Sequence, residues 1–248
     1  MILLAALIAG LGLVPPLGTP SPSIELIASD GVHIFAQSHD AASPRAPVIL
    51  LFHQAGSSKS EYATIAPRLV DLGFNVLAID QRSGGDLYQP QNETVLHLGH
   101  SVAGYDDVLP DLEAALDWAR RAHPTSPVYV WGSSYSAALV FVLAAKHSKE
   151  IAAVLAFSPG EYLGDKSAVH RAAAHVRVPV FIDSAADPSE IAAAKSIFDV
   201  IPSKQKKLYV PKIGIHGSST LRSDRDPGGS EQNWTQVTRF LRSLNQGR

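Results

Sequence analysis

The sequence contains no cysteine among its 248 residues. That absence excludes disulfides, thiolate metal sites and a cysteine nucleophile, and it leaves the redox compartment open. A membrane-length hydrophobic run is missing as well: Met1–Val14 (MILLAALIAGLGLV) is apolar but shorter than the roughly 20 residues that cross a bilayer. Lys and Arg do not occur before Arg45, so this stretch has the length of a signal-peptide h-region without the positive n-region, and Pro15–Pro22 holds no A-x-A cleavage pattern. Two readings of residues 1–22 stay open. They are either a signal-like segment and linker of a secreted or periplasmic protein, or an apolar segment packed on a cytoplasmic domain. An excess of one charge is also lacking, with 21 Lys and Arg against 23 Asp and Glu. With no basic run or stripe there is no electrostatic footprint for a phosphate backbone, which excludes nucleic acid as a partner.

What is present is core-forming. Hydrophobic residues make up 46% of the chain and charged residues 18%, and no break in composition divides it, so residues 23–248 read as one domain. Ile24–Ala28 and Val32–Gln37, joined by Ser29-Asp30-Gly31, read as a hairpin, because Asp-Gly accepts the positive φ of a tight turn. Val48–Phe52, Phe74–Ile79, Val128–Trp131, Ala153–Phe157 and Val178–Ile182 are short continuous apolar runs, the pattern of parallel strands buried on both faces, with Leu208–Val210 a weaker eighth. Helical spacing separates them: Val108, Leu112, Ala115 and Ala119 form one apolar stripe, with Pro110 in the first turn. Further helices are expected near Ser60–Leu72, Tyr135–His147, Ser189–Val200 and Glu231–Leu244. This alternation predicts an α/β fold, doubly wound around a mostly parallel eight-stranded sheet with an antiparallel N-terminal edge. Two connections of roughly 20 residues, Gly84–Gly104 and Ser158–Arg177, exceed the usual length and are candidates to face a substrate.

The most specific feature is Val128–Ser136 (VYVWGSSYS), a buried-type strand running through Gly132-Ser133-Ser134-Tyr135-Ser136 into a helix. It resembles the G-x-S-x-G nucleophile elbow of the α/β-hydrolases, with Ser136 where the second glycine is usual. The same stretch read without neighbours is a turn and helix cap. The resemblance extends over residues 24–245 and is nearest to the dienelactone-hydrolase-like and carboxylesterase branch with minimal lid. It implies the order Ser, acid, His along the chain. His216, the single histidine after residue 175, lies in the glycine-flanked loop Gly214–Ser218 and is the implied base. Asp187 is the implied acid, with Asp183 the runner-up, and either could serve instead as an N-cap or turn residue.

The family's oxyanion hole takes two backbone N–H groups. One is implied at Tyr135, after the nucleophile, and the other in Phe52–Ser58, at Ala55 with Gln54 as the alternative, leaving His53 structural. Phe74–Gly84, with Asp80-Gln81-Arg82, matches the family's strand and Asp-x-Arg turn. Leu87, Tyr88, Tyr162 and Leu163 are candidate substrate-lining residues, or ordinary packing. The implied activity is cleavage of small carboxylic esters through an acyl-enzyme, without cofactor or metal. A peptidase or amidase on the same fold, and a binding protein without catalysis, are the rivals. Gly56–Ser60 lacks the G-K-[ST] of a phosphate loop, His97-x-x-His100 has no supporting carboxylates for a metal, and Asn92-Glu93-Thr94 and Asn233-Trp234-Thr235 match glycosylation sequons of a kind common by chance. Oligomeric state is not legible in these residues.

Overall fold

Among the described residues, eight strands form one sheet in the order β1-β2-β4-β3-β5-β6-β7-β8. The computed structural model describes residues 23–245, so the two readings of segment 1–22 lie outside the described residues. The strands are β1 Ile24–Ile27, β2 His33–His39, β3 Val48–Phe52, β4 Asn75–Ile79, β5 Val128–Ser133, β6 Ile151–Phe157, β7 Val180–Asp183 and β8 Lys206–Tyr209. The first two pair antiparallel, β2 pairs antiparallel with β4, and every pairing from β4 through β3 to β8 is parallel. The sequence-predicted strands fall on these eight, with no end moved by more than two residues.

The helices are α1 Ile65–Asp71, α2 Glu93–His97, α3 Leu109–Ala122, α4 Tyr135–Lys146, α5 Ala168–Ala173, α6 Pro188–Val200 and α7 Ser230–Asn245. Alternation along the strands divides the core. Leu50, Phe52, Val128 and Val130 pack with α3, α4, α5 and α6 on one face; Ile49, Leu51, Tyr129 and Trp131 pack with α1 and α7 on the other. Every residue of β3 and β4 is buried, as central strands covered on both sides require. The stripe Val108, Leu112, Ala115 and Ala119 is fully buried, and each large apolar side chain moved from water stabilises the fold by about 1.5–3 kcal/mol. The expected helix Ser60–Leu72 divides into a 3-10 turn, Lys59–Tyr62, and α1. The two long connections each contain a short helix, α2 and α5, that the apolar pattern does not reveal.

The Asp-x-Arg turn closes one side of this scaffold. Asp80 accepts from Lys59 Nζ and from the backbone N–H groups of Lys59 and Glu93, while Arg82 pairs with Asp30 and with buried Asp111. Burial pushes the Asp111 carboxyl up to about 6 despite the pull of Arg82. All the parallel strands end on the same edge, so the loops after β3, β5, β6, β7 and β8 converge there, where open α/β sheets bind ligands.

Candidate active site

Ser134 sits between the end of β5 and the first residue of α4, at φ 59 and ψ −122, in the positive-φ half of backbone space that a residue with a Cβ avoids. Strand and helix approach so closely here that a Cβ on Gly132 would lie 2.2 Å from the Ser136 carbonyl oxygen. Ser136 keeps the backbone of this turn and adds bonds a glycine could not make: its hydroxyl donates to the His53 carbonyl at 2.6 Å and accepts from Gln81 Nε2 at 2.9 Å. The departure from G-x-S-x-G therefore ties the elbow to the loop after β3.

His216 reaches the elbow from the loop after β8. Its Nε2 is 2.7 Å from Ser134 Oγ and its Nδ1 is 2.9 Å from Glu190 Oε1. Because a carboxylate only accepts, Nδ1 carries the proton, and Nε2 is left to accept from the serine hydroxyl. Gly217, at φ 70, lets this loop lie against the elbow, since a Cβ there would be 2.5 Å from Ser133 Oγ. The Ser133 hydroxyl oxygen accepts from Ser218 N–H at 2.8 Å, and Ser158 Oγ accepts from Gly217 N–H at 3.0 Å.

The carboxylate on His216 differs from the sequence expectation. Asp187 is the N-cap of α6: its Oδ1 accepts from Ser189 N–H at 2.8 Å and Glu190 N–H at 3.2 Å, and it makes no bond to His216. The Ser189 hydroxyl, which also donates to Asp187, and these two N–H groups hold the Asp187 carboxyl below its usual range. With Pro188 at the first helical position, Glu190 falls one turn in, and its side chain turns toward the imidazole. Burial pushes the Glu190 carboxyl up, but His216 and the Ser158 hydroxyl beside it outweigh burial and bring it below its ordinary value. Asp183, the runner-up, ends β7 fully buried, without contact to His216; burial and the neighbouring Asp226 raise its carboxyl well above the usual range. The signal for Glu190 was the D-P-S-E string, a helix start in which the aspartate is consumed as the cap.

The loop after β3 engages its two adjacent amides differently. Gln54 N–H donates to Glu61 Oε2 at 2.8 Å, which removes it from any open cleft. Its carbonyl accepts from His53 Nδ1 at 2.7 Å, while His53 Nε2 accepts from Gln81 N–H at 2.9 Å. His53 is thus a buried, neutral scaffold residue, its basicity lowered by burial. Ala55 N–H donates to no other described residue. Tyr135 is the first residue of α4, and first-turn N–H groups have no intrahelical partner.

The four lining candidates separate. Leu163 is part of the core. Leu87 is exposed. Tyr162 donates its hydroxyl to the Ser158 carbonyl at 3.0 Å. Tyr88 is buried, with the guanidinium groups of Arg222 and Arg225 packed on its ring and its hydroxyl against Ser219 Oγ. Packing therefore explains Leu163 and Tyr88, while Tyr162, bonded to Ser158, lies within electrostatic reach of the Glu190 carboxylate. Among the described residues no cluster of His, Cys, Asp and Glu has the makeup to hold a metal ion, and no helix is long and apolar enough to cross a membrane.

A nucleophile-elbow turn, a histidine and a carboxylate on the strand-end edge of this sheet define the α/β-hydrolase class. Residues 42–186 match the Hydrolase_4 model, described as serine aminopeptidase, S33, and the chain belongs to that family. A curated relative, epoxide hydrolase A of Mycobacterium tuberculosis, is 30% identical over 143 residues, 56% of this chain and 39% of the relative's own length. The chain thus matches about two fifths of that protein. Among solved structures, a Pyrococcus furiosus esterase aligns at TM-score 0.68 and 20% identity, covering 90% of this chain and 91% of that one. A dienelactone hydrolase from Anabaena variabilis aligns at 0.69 and 18%, covering 90% and 96%. Est1E from Butyrivibrio proteoclasticus, with ferulic acid bound, aligns at 0.69 and 16%, covering 90% and 99%. At these identities the likeness is one of fold.

Proposed function

We propose that this hydrolase cleaves carboxylic esters through an acyl-enzyme, with Ser134 as nucleophile, His216 as general base and Glu190 as the acid of the triad. The observation that carries the reading is the 2.7 Å approach of His216 Nε2 to a serine held at positive φ at a strand-to-helix turn. His216 takes the hydroxyl proton as Ser134 Oγ bonds to the ester carbonyl carbon. The negative charge that develops on the carbonyl oxygen is met by Tyr135 N–H and Ala55 N–H. Collapse breaks the bond to the leaving oxygen, which receives the proton from His216. Water, deprotonated by the same imidazole, then releases the acid and restores Ser134. Glu190 holds the Nδ1–H tautomer and stabilises the imidazolium that forms in each half-reaction.

The family's description as serine aminopeptidase makes peptide amides the second reading. Esters are favoured because the two carboxylates at the site are already engaged, Glu190 by His216 and Glu61 by Gln54 and Ser133, and neither is open to hold a substrate ammonium group. A fluorophosphonate probe mapped by mass spectrometry is expected on Ser134 and lost in Ser134→Ala and His216→Ala. Turnover of acetate and butyrate esters, matched amides, aminoacyl anilides and an epoxide is then compared. Ester turnover retained within about tenfold in Ser134→Ala would overturn the assignment.

A further inference from the structure

Glu61 lies in the 3-10 turn Lys59–Tyr62, with no exposed surface, and the triad does not use it. Its carboxylate joins three loops. Oε2 accepts the Gln54 N–H at 2.8 Å, and Oε1 accepts the Ser133 hydroxyl at 2.7 Å. Ser133 Oγ in turn accepts Ser218 N–H, in the loop that carries His216. Arg222 Nη1 donates to the carbonyls of Ser60 and Glu61, both at 2.9 Å, and fixes the turn itself. The loops of the second oxyanion donor, the nucleophile and the base thus meet at one buried carboxylate.

From this geometry we infer that Glu61 is a positioning residue for the oxyanion hole, holding Gln54 by its N–H, in the His53–Gln54 peptide, so that Ala55 N–H, and not Gln54 N–H, faces the substrate oxygen. The inference rests on the serine hydrolase reading above. Both ends of Gln54 are pinned, its N–H by Glu61 and its carbonyl by His53 Nδ1. A trans amide is planar, so fixing that carbonyl toward His53 turns the following N–H, that of Ala55, to the opposite side. Replacing Glu61 by a residue that cannot accept leaves Gln54 N–H buried without a partner; the His53–Gln54 peptide rotates to satisfy it and carries the adjoining Gln54–Ala55 peptide out of place.

The arrangement needs the ionised form, because both oxygens accept. A proton on Oε2 would oppose the Gln54 N–H, and one on Oε1 would displace the Ser133 hydroxyl proton. Burial pushes the Glu61 carboxyl up to about 7, against the lowering pull of Gln54 N–H, Ser133, Arg222 and His216. The charged groups facing it are Arg222 and His216 from the loop after β8, with the Tyr62 phenol beside it. Protonation therefore falls within the working range of a histidine-based hydrolase.

The test is steady-state turnover of an acetate ester by wild type, Glu61→Ala and Glu61→Gln, with kcat expressed per active site titrated by fluorophosphonate. Glu61→Ala is expected to lower kcat by about 10²–10³, the usual effect of losing one oxyanion donor, with KM within about threefold. Glu61→Gln presents one acceptor and one donor, as the protonated carboxyl does, and is expected to show a similar loss at every pH. Its log kcat/KM on the acid side should rise with a slope of about one, where wild type rises with a slope of about two, because a second deprotonation has been removed. A kcat per titrated site within about threefold of wild type in Glu61→Ala overturns the inference. If that variant does not fold, an acid-limb slope in Glu61→Gln equal to wild type overturns it. Failure of the serine hydrolase reading is separate, being read from retained turnover in Ser134→Ala.

Discussion

The assignment of the acid can be tested by a pair of amide substitutions. Glu190→Gln removes the charge that faces His216 Nδ1 at 2.9 Å and leaves the volume unchanged. The new side chain can present an N–H to Nδ1, which drives the ring proton to Nε2, where it opposes the Ser134 hydroxyl instead of accepting from it. Losing the triad acid in this way lowers kcat by about 10³–10⁴, or about 4–5.5 kcal/mol of transition-state stabilisation. Asp187→Asn is the control, because asparagine caps a helix as well as aspartate does. Its amide oxygen keeps the bonds to Ser189 N–H and Glu190 N–H, so kcat is expected within about threefold of wild type. The assay is initial-rate hydrolysis of a p-nitrophenyl acetate series, with circular dichroism to confirm folding. A loss of about 10³ in Asp187→Asn together with near-normal turnover in Glu190→Gln would refute the reasoning and return the acid to Asp187.

Gly217→Ala must place a methyl 2.5 Å from Ser133 Oγ at a positive φ, so it should displace His216 and cut kcat at least about tenfold while the sheet remains folded by circular dichroism. Ser136→Gly restores the usual elbow residue but leaves the His53 carbonyl and Gln81 Nε2 short of a partner each; the expected cost is about 1–3 kcal/mol in urea unfolding. Asp183→Asn should stabilise the protein in a pH-dependent way. The folded pKa of Asp183 is raised, so between the unfolded value near 4 and the folded value the native state holds the extra proton, and the stability it contributes at low pH is lost as pH rises. Thermal melts should therefore show little gain for Asp183→Asn at pH 4 and a gain of several degrees at pH 8; an equal shift at both would refute this.

The strands of the parallel core were legible because residues buried on both faces leave little room for polar side chains, so Val48–Phe52 reads as a strand with no partner specified. The same is true of the α3 stripe. The helices α2 and α5 were not legible, since five- and six-residue segments complete fewer than two turns and carry no period. At the site, Ser134 and His216 stood out through local sequence, a small-residue turn after a strand and a lone histidine in a glycine loop. Glu190 and Glu61 did not.

What the sequence determined by itself is whatever is written at short range: element type from hydrophobic period, the strained turn from Gly132 and its small neighbours, and the glycine-flanked loop that carries His216. The choice among carboxylates belongs to the tertiary structure. Asp187 and Glu190 are three residues apart on one helix start, and only the direction in which the first turn of α6 meets the loop after β8 decides which cap the helix keeps and which side chain reaches the imidazole. Likewise, Gln54 and Ala55 are adjacent amides. Which one is left open is decided by Glu61, seven residues beyond Gln54, whose carboxylate the fold brings back to claim the other.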